Sequence, residues 1–209
     1  MAELRSNTNA GGGADFWAHE TAVVDPPAQI GGGTRIWHFC HVMAGARIGA
    51  RCVLGQNVFV ASRAVIGDGC KIQNNVSLYD DVVLEADVFV APSAVFTNVI
   101  NPRAFLERKD EYRTTRVGRG ASIGANATVV CGHVIGNYAF VGAGAVVTKD
   151  VPDYGLVIGV PGRLMGWICR CGVGLTSRAS IALACASCGR KYSEARGPSG
   201  AKLLMPELP

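Results

Sequence analysis

A large apolar residue returns at every sixth position of this chain, and that period admits few folds. Counting from Val24 gives Ile30, Ile36, Val42, Ile48, Leu54, Val60, Ile66, Ile72, Leu78, Leu84, Val90 and Phe96, thirteen apolar positions without a failure. With 49% of residues apolar, such a run has chance odds of roughly one in ten thousand. It stops across 101–116 and resumes with Val117, Ile123, Val129, Ile135, Val141 and Val147. Four residues after these positions comes a small or β-branched residue: Ala28, Thr34, Cys40, Ala46, Cys52, Val58, Ala64, Cys70 and Val76, then Ala121, Ala127, Ala139 and Ala145. His133 is the exception.

A period of six matches neither a helix, at 3.6, nor a simple strand, at 2. It matches a coil with three flat sides, in which each turn of eighteen residues stacks on the last. The large aliphatic fills the prism and the small residue fits its corner, where a bulkier one would clash. Cys40, Cys52 and Cys70 therefore read as small packed hydrophobes. A composition of 27 Gly with only 17% charged residues suits tightly stacked β structure better than a helical bundle.

The net charge of +4 is modest and its cations are scattered, which argues against nucleic acid as a partner. No apolar run approaches the ~18 residues of a membrane span. Residues 1–18 are Ser/Asn/Gly-rich at their start, lack the apolar core of a signal peptide, and read as a disordered lead-in. Eight cysteines without a secretion signal point to reduced thiols in a cytoplasm.

Residues eighteen apart share a face. One such column holds His38, Gln56, Asn74 and Pro92, and the next position along holds Phe39, Asn57, Asn75 and Ser93. A second face carries Ala44, Ser62, Asp80 and Asn98, flanked by Tyr79 and Asp81. Neutral amides offer donors and acceptors without a charge to desolvate, so the amide column suits a polar ligand or a subunit interface. The alternative is an Asn ladder that only stabilises the coil. The segment 101–116 is densely charged and cannot form a coil side. It reads as an ejected loop whose Arg103, Arg108, Lys109 and Arg113 could meet carboxylate or phosphate groups.

Particular strings carry a family resemblance over His19 to Cys169, roughly 70% of the chain. They are Arg35-Ile-Trp-His-Phe, Leu54-Gly-Gln-Asn-Val-Phe-Val, Lys71-Ile-Gln-Asn-Asn-Val-Ser, Val95-Phe-Thr-Asn-Val with Asn101-Pro-Arg, Glu107-Arg-Lys-Asp-Glu-Tyr-Arg, and Phe140-Val-Gly-Ala-Gly-Ala-Val-Val-Thr-Lys-Asp-Val-Pro. The chain resembles hexapeptide-repeat N-acetyltransferases of the type acting on UDP-2-acetamido-3-amino-2,3-dideoxyglucuronate. The resemblance implies an all-β fold: a left-handed parallel β-helix over 19–166 with an ejected loop at 101–116. It implies a homotrimer that moves acetyl from acetyl-CoA to the 3-amino group of a nucleotide-linked sugar for surface polysaccharides such as O-antigen and lipopolysaccharide. A dTDP-amino-deoxysugar acceptor and a non-catalytic β-helix scaffold are the alternatives.

By the same resemblance, Asn98 orients the sugar amine. Asn74, Asn75, Tyr79, Asn101, Arg103, Glu107 and Tyr112 bind the sugar nucleotide. Gly124, Ala125, Gly142, Ala143 and Lys149 line the pantetheine path, with Pro161 and Arg163 near the nucleotide end. The glycines would let the arm approach backbone N–H groups. An amine with a pKa of ~8 is partly neutral at physiological pH, so positioning can suffice without a protein base. Among His19, His38, His41 and His133, His38 and His133 are the alternative bases. His133, standing at a corner position, is expected near a subunit contact or under strain. The carbonic anhydrases of this coil architecture hold zinc through histidines, but His38 and His41 find no third histidine in register.

Residues 167–193 form a small Cys-rich C-terminal appendage. Cys169-x-Cys171-Gly and Cys185-x-x-Cys188-Gly stand thirteen residues apart. The second half matches a zinc knuckle and the first is one residue short, so structural zinc and free or redox-active thiols are both open. Residues 194–209, with their prolines and glycines, read as a disordered tail.

Overall fold

A computed structural model describes residues 15–175, 182–196 and 202–207. Two-residue strands recur every six positions, from Trp17–Ala18, Val23–Val24 and Gln29–Ile30 onward. They stack into three parallel sheets, one per side of the coil. Register confirms the eighteen-residue turn: Trp17 pairs with Arg35, Arg35 with Val53, and Val53 with Lys71. Phe89 instead pairs with Ser122, because the loop is ejected between them, and the stacking then continues. The chain is thus a β-solenoid of stacked coils, as its period requires.

Both apolar columns point inward. Ile36, Leu54, Ile72, Val90, Ile123 and Val141 are fully buried, and so are Cys52, Cys70, Ala121 and Ala145. The second column also donates hydrogen bonds. Thr34 Oγ1 gives one to the Gly49 carbonyl at 2.8 Å, and the Cys40, Cys52 and Cys70 thiols reach the Gly55, Gly67 and Glu85 carbonyls at 3.0, 3.1 and 3.0 Å. A small side chain with a weak donor therefore fits this place without leaving a buried polar group unpaired.

The corners obey two further rules. The residue after the aliphatic is often Gly, because the next coil passes close by. A Cβ on Gly67 would stand 2.7 Å from the Ala86 nitrogen. Three residues after the aliphatic the backbone turns left-handed, at Phe39, Arg51, Asn57, Asn75, Asp81, Asp87, Ser93, Asn126 and Tyr138, with φ between 54 and 67°. Asn and Asp tolerate that conformation better than most residues, which accounts for part of the amide column.

Three boundaries differ from the sequence reading. The coil begins earlier than residue 19, since Trp17–Ala18 already pairs with Arg35–Ile36; residues 1–14 lie outside the described residues. The coil also ends before 166. Gly155–Ile158 is its last parallel strand, and Arg163–Ile168 turns back against it antiparallel. Finally, the tail is not wholly irregular. Lys191–Arg196 pairs with Ala182–Ala184 on one edge and Lys202–Pro206 on the other. Leu204 is buried there and clusters with Tyr192 of the preceding appendage, which gives the tail an apolar anchor.

Interior columns and exposed corners make opposite predictions for neighbouring residues. Ile72→Ala leaves a cavity in the prism and should cost about 2–5 kcal/mol in denaturant unfolding. Lys71→Ala, on the solvent side of the same strand, should stay within about 0.5 kcal/mol of the parent. Similar costs at both positions would contradict the inward assignment of the aliphatic column.

Candidate functional site

The second sheet holds Val23–Val24, His41–Val42, Phe59–Val60, Ser77–Leu78, Val95–Phe96, Thr128–Val129 and Val146–Val147. Most of the site residues expected from the sequence lie on the two corners that flank it. Asn74, Asn75, Gly124, Ala125, Gly142 and Ala143 follow strands of the first sheet and form the corner entering the second. Tyr79, Asn98, the ejected loop and Lys149 form the corner leaving it.

Asn98 sits at the neck of the loop. Its carbonyl accepts the Arg113 N–H at 2.9 Å, which closes the two ends together. Thr97 Oγ1 accepts the Cys131 N–H at 2.9 Å and ties that neck to the next coil. The Asn98 side chain is half-buried and makes no hydrogen bond among the described residues. A carboxamide so placed keeps both its donor and its acceptor available for a ligand.

The loop folds back on itself. Arg103, Glu107 and Tyr112 line one cavity of about 220 Å³ together with Val99, Pro102, Leu106, Arg108 and Lys109. Lys109 pairs with Glu107 at 2.8 Å, which holds the Glu107 carboxyl below its ordinary range, and Arg108 pairs with Glu111. Arg103 Nη1 donates to the Pro102 carbonyl at 2.9 Å and meets no carboxylate among the described residues. Asn101 is exposed at the loop's start.

Sequence reasoning missed Arg63. It forms a two-point ion pair with Asp81, at 3.1 and 2.9 Å, and its guanidinium lies 5.9 Å from the centre of the Tyr112 ring. One coil corner is thereby clamped to the far end of the loop. The hydrogen bond from Arg63 holds the Asp81 carboxyl below its ordinary range. Opposite charges eighteen residues apart were the available signal.

The amide column divides in two. The Asn74 carboxamide oxygen accepts the Gln56 N–H at 2.9 Å, and Asn57 Nδ2 donates to the Asn75 carboxamide at 3.1 Å. Asn57 and Asn75 both have left-handed backbone. Asn75 therefore takes part in a corner ladder, the bland alternative for this column. Tyr79 is exposed, and its ring lies 5.9 Å from that of Phe59.

The expected pantetheine residues divide into paired and open amides. The Gly124 and Gly142 amides donate to Val141 and Val157 carbonyls, each at 2.8 Å, so they are not open to a ligand. Gly124 is required instead by the passing coil, since a Cβ there would stand 2.5 Å from the Ala143 nitrogen. The Ala125 and Ala143 amides make no hydrogen bond among the described residues, because no Asx side chain stands over them as Asn74 stands over Gln56. Lys149 and Arg163 line one cavity of about 170 Å³, and exposed Pro161 lies in the turn just before Arg163. In that turn the Gly162 N–H donates to the Val146 carbonyl at 2.7 Å.

The histidines sort by distance from the loop. His38 stacks on His19, with ring centres 3.5 Å apart, three coils before Asn98. At the usual strand spacing that is about 14 Å along the axis. His41 Nε2 lies 2.8 Å from an Asp25 carboxylate oxygen, also at the early coils. His133 is half-buried in the corner directly after that of Asn98, with Nδ1 3.3 Å from Asp150 Oδ1. Cys131, two residues before it, is fully buried.

The four C-terminal cysteines meet. Their sulfurs all lie within 4.8 Å of one another. The Arg190 backbone N–H draws the Cys188 thiol down to about 6.

Residues 27–62 and 63–98 match the bacterial transferase hexapeptide of six repeats. Residues 45–80 and 114–149 match the hexapeptide repeat of succinyl-transferase. A dTDP-3-amino-3,6-dideoxy-alpha-D-galactopyranose 3-N-acetyltransferase from Aneurinibacillus thermoaerophilus is 39% identical over 183 residues, spanning 87% of this chain and 92% of that protein. The UDP-N-acetylglucosamine acyltransferase from Campylobacter jejuni shares the fold at 14% identity and a TM-score of 0.50, over 72% of this chain and 74% of that one. The acetyltransferase domain of PglB from Neisseria gonorrhoeae FA1090 aligns at 23% identity and a TM-score of 0.46, over 71% of this chain and 57% of that one.

The clamp at the loop makes a prediction of its own. Arg63→Ala should raise amide hydrogen exchange across 101–113 about tenfold or more while leaving exchange in the coil strands unchanged. Because the pair holds Asp81 below the ordinary carboxylate range, its contribution is present above that range and fades as pH falls through the lowered value. Unchanged loop exchange in Arg63→Ala would contradict the clamp.

Proposed function

We propose that this chain, which belongs to the bacterial hexapeptide-repeat transferases, moves an acetyl group from acetyl-CoA to the 3-amino group of a nucleotide-linked amino sugar. The single observation that carries the reading is the 39% identity with the dTDP-3-amino sugar 3-N-acetyltransferase across 92% of that protein. The structure supports it by setting the unpartnered Asn98 carboxamide, the loop cavity, the open Ala125 and Ala143 amides and the Lys149–Arg163 cavity along one sheet and its corners.

In this reading the free amine attacks the thioester carbonyl. A tetrahedral intermediate forms, the carbon–sulfur bond breaks, and the CoA sulfur leaves with the electron pair and takes up the proton that the new amide sheds. Asn98 orients the amine, and proximity supplies most of the acceleration. The Ala125 and Ala143 amides can donate to the carbonyls of the pantetheine arm, and Lys149 and Arg163 can pair with phosphate. Asn74, Tyr79, Asn101, Arg103, Glu107 and Tyr112 form the acceptor side. Asn74 and Asn75 each keep a bond within the coil, so their share in binding is smaller.

Two nucleotide readings each have a specific observation behind them. The identity above favours a dTDP-linked acceptor. The strings at 71–77 and 95–103 favour UDP-2-acetamido-3-amino-2,3-dideoxyglucuronate, and Arg103, which meets no carboxylate among the described residues, could meet a uronate. In this reading either product serves surface polysaccharide synthesis and the enzyme works in the cytoplasm.

The site is completed by neighbouring copies in a homotrimer. Val23, Phe39, Tyr79, Val95 and Phe105 are exposed on or beside the second sheet of a single chain, an apolar stripe that a second copy would cover. Light scattering at micromolar concentration should give three times the chain mass of 21.9 kDa. A stable monomer would contradict both the trimer and the shared site.

Asn98→Ala should lower kcat/KM for the amino sugar by about 10²–10³, the usual cost of a positioning hydrogen bond in the transition state, with the fold intact. His38→Ala should cost far less. His133 is the one histidine placed to support a base-assisted reading, through its contact with Asp150 in the adjacent corner. If His133→Ala abolishes turnover while Asn98→Ala retains it, the histidine is the base and the base-free mechanism is wrong.

A further inference from the structure

The C-terminal cysteines belong to no part of the transfer reaction. Cys169 and Cys171 follow the strand Arg163–Ile168, and Cys185 and Cys188 sit in the turn between Ala182–Ala184 and Lys191–Arg196. The Cys169 and Cys188 sulfurs are 3.5 Å apart, and those of Cys171 and Cys185 are 3.6 Å apart. A disulfide requires about 2.05 Å. Four sulfurs placed tetrahedrally about a zinc ion, each at about 2.3 Å, would stand about 3.8 Å from one another. The observed set lies close to that value and far from a bond.

The backbone around the sulfurs has the shape that metal binding needs. Gly172 and Gly189 each follow the second cysteine of a pair, with φ of 91 and 72°. The Gly172 and Gly189 N–H groups donate to the Cys169 and Cys185 carbonyls at 2.8 and 2.9 Å. Both pairs therefore sit on tight turns closed in the same way, although one pair is a residue shorter. That missing residue, which left the sequence reading open, does not prevent the four sulfurs from meeting.

Charge points the same way. Four thiolates around a divalent cation leave a net negative site, and one cation reaches it. Arg190 Nη1 approaches Cys188 Sγ at 3.5 Å, and Arg170, Lys191 and Glu207 line the adjoining cavity. The Tyr192 hydroxyl lies 3.1 Å from Cys169 Sγ. Two disulfides would be neutral and would need no such surroundings.

The apolar support is thin. The second core cluster comprises Tyr154, Trp167, Cys169, Leu175, Leu183, Cys185, Tyr192 and Leu204, and two of these are the cysteines themselves. A core of that size does not hold a ribbon without a staple. The ribbon meets the coil through rings, with Tyr138 stacked on Tyr154 at 5.4 Å and Tyr154 against Tyr192 at 5.3 Å.

We propose that Cys169, Cys171, Cys185 and Cys188 bind one zinc ion, and that this ion holds the C-terminal ribbon as a cap on the last coil. A tetrahedral all-sulfur site selects zinc or iron, and the site is structural because it leaves no open coordination position. The inference stands on the ribbon alone and is independent of the acyl acceptor. Metal analysis of the full-length protein, purified in reductant without chelator, should find about one zinc per chain, and Cys185→Ser with Cys188→Ser should bring it near zero. In that variant, amide exchange should rise at least a hundredfold over 182–196 and 202–206 and stay unchanged over the coil strands from Trp17 to Ile158. Metal-free parent protein with a protected ribbon, iron in place of zinc, or a mass lowered by the hydrogens of two disulfides would each overturn the proposal.

Discussion

Every outward side chain of the coil is positioned by the backbone ladder that joins each turn to the next. The Arg35 N–H donates to Cys52, the Val53 N–H to Cys70, and the Lys71 N–H to Val88. A residue cannot move along the axis without breaking the register of its neighbours, so a constellation spread over several coils is as fixed as one on a single strand. The interior columns keep the ladder in place, since a one-residue slip would turn the aliphatics outward. That rigidity lets corner residues from separate turns act as one site.

The same constraint limits where chemistry can go. In the corners, the first residue after the aliphatic is often held to glycine by the passing coil, as at Gly67 and Gly124. The third carries the left-handed turn, and the fourth faces inward. The second is the free one. His38, Asn74, Asp80, Asn98, Ala125 and Ala143 all occupy it. At Asn74 it accepts an amide from the previous coil, at Asn98 the carboxamide makes no bond among the described residues, and where it is alanine, as at Ala143, the amide beneath stays open. The ejected loop is the second place where polar groups gather without disturbing the ladder. The Asn98 and Asp81 carbonyls accept the Arg113 and Thr115 amides at its base, and Arg63, paired with Asp81, reaches the Tyr112 ring.

The period alone revealed the three-sided coil, its two inward columns and the interruption at 101–116, because each follows from residues at fixed spacing. Other features had no such signature. Asn57 and Asn75 looked like ligand groups because the left-handed corner and a polar binding face favour the same residue types. Gly124 looked like an opening for a ligand because clearance for a neighbouring coil and for a cofactor both demand the absence of a side chain. Arg63 could have been paired with Asp81 by its spacing, but its reach to Tyr112 depends on how the loop folds back. In the tail, Leu204 is buried although prolines and glycines recur around it in the sequence, and its strand partner, Glu194, lies ten residues away.

In the proposed reaction one face of this coil brings an acetyl thioester and a nucleotide-linked 3-amino sugar together. Its most direct test is a thiol-release assay with acetyl-CoA and a panel of UDP- and dTDP-linked amino sugars differing in amino position and in the presence of a C6 carboxylate. The expected result is stoichiometric release of CoA and formation of an acetamide on a 3-amino acceptor, with 2- and 4-amino isomers slower by at least about tenfold, or 1.4 kcal/mol of discrimination. Acetyl transfer to none of them, with acetyl-CoA unbound at millimolar concentration, would contradict it and leave a coil that serves only as a scaffold.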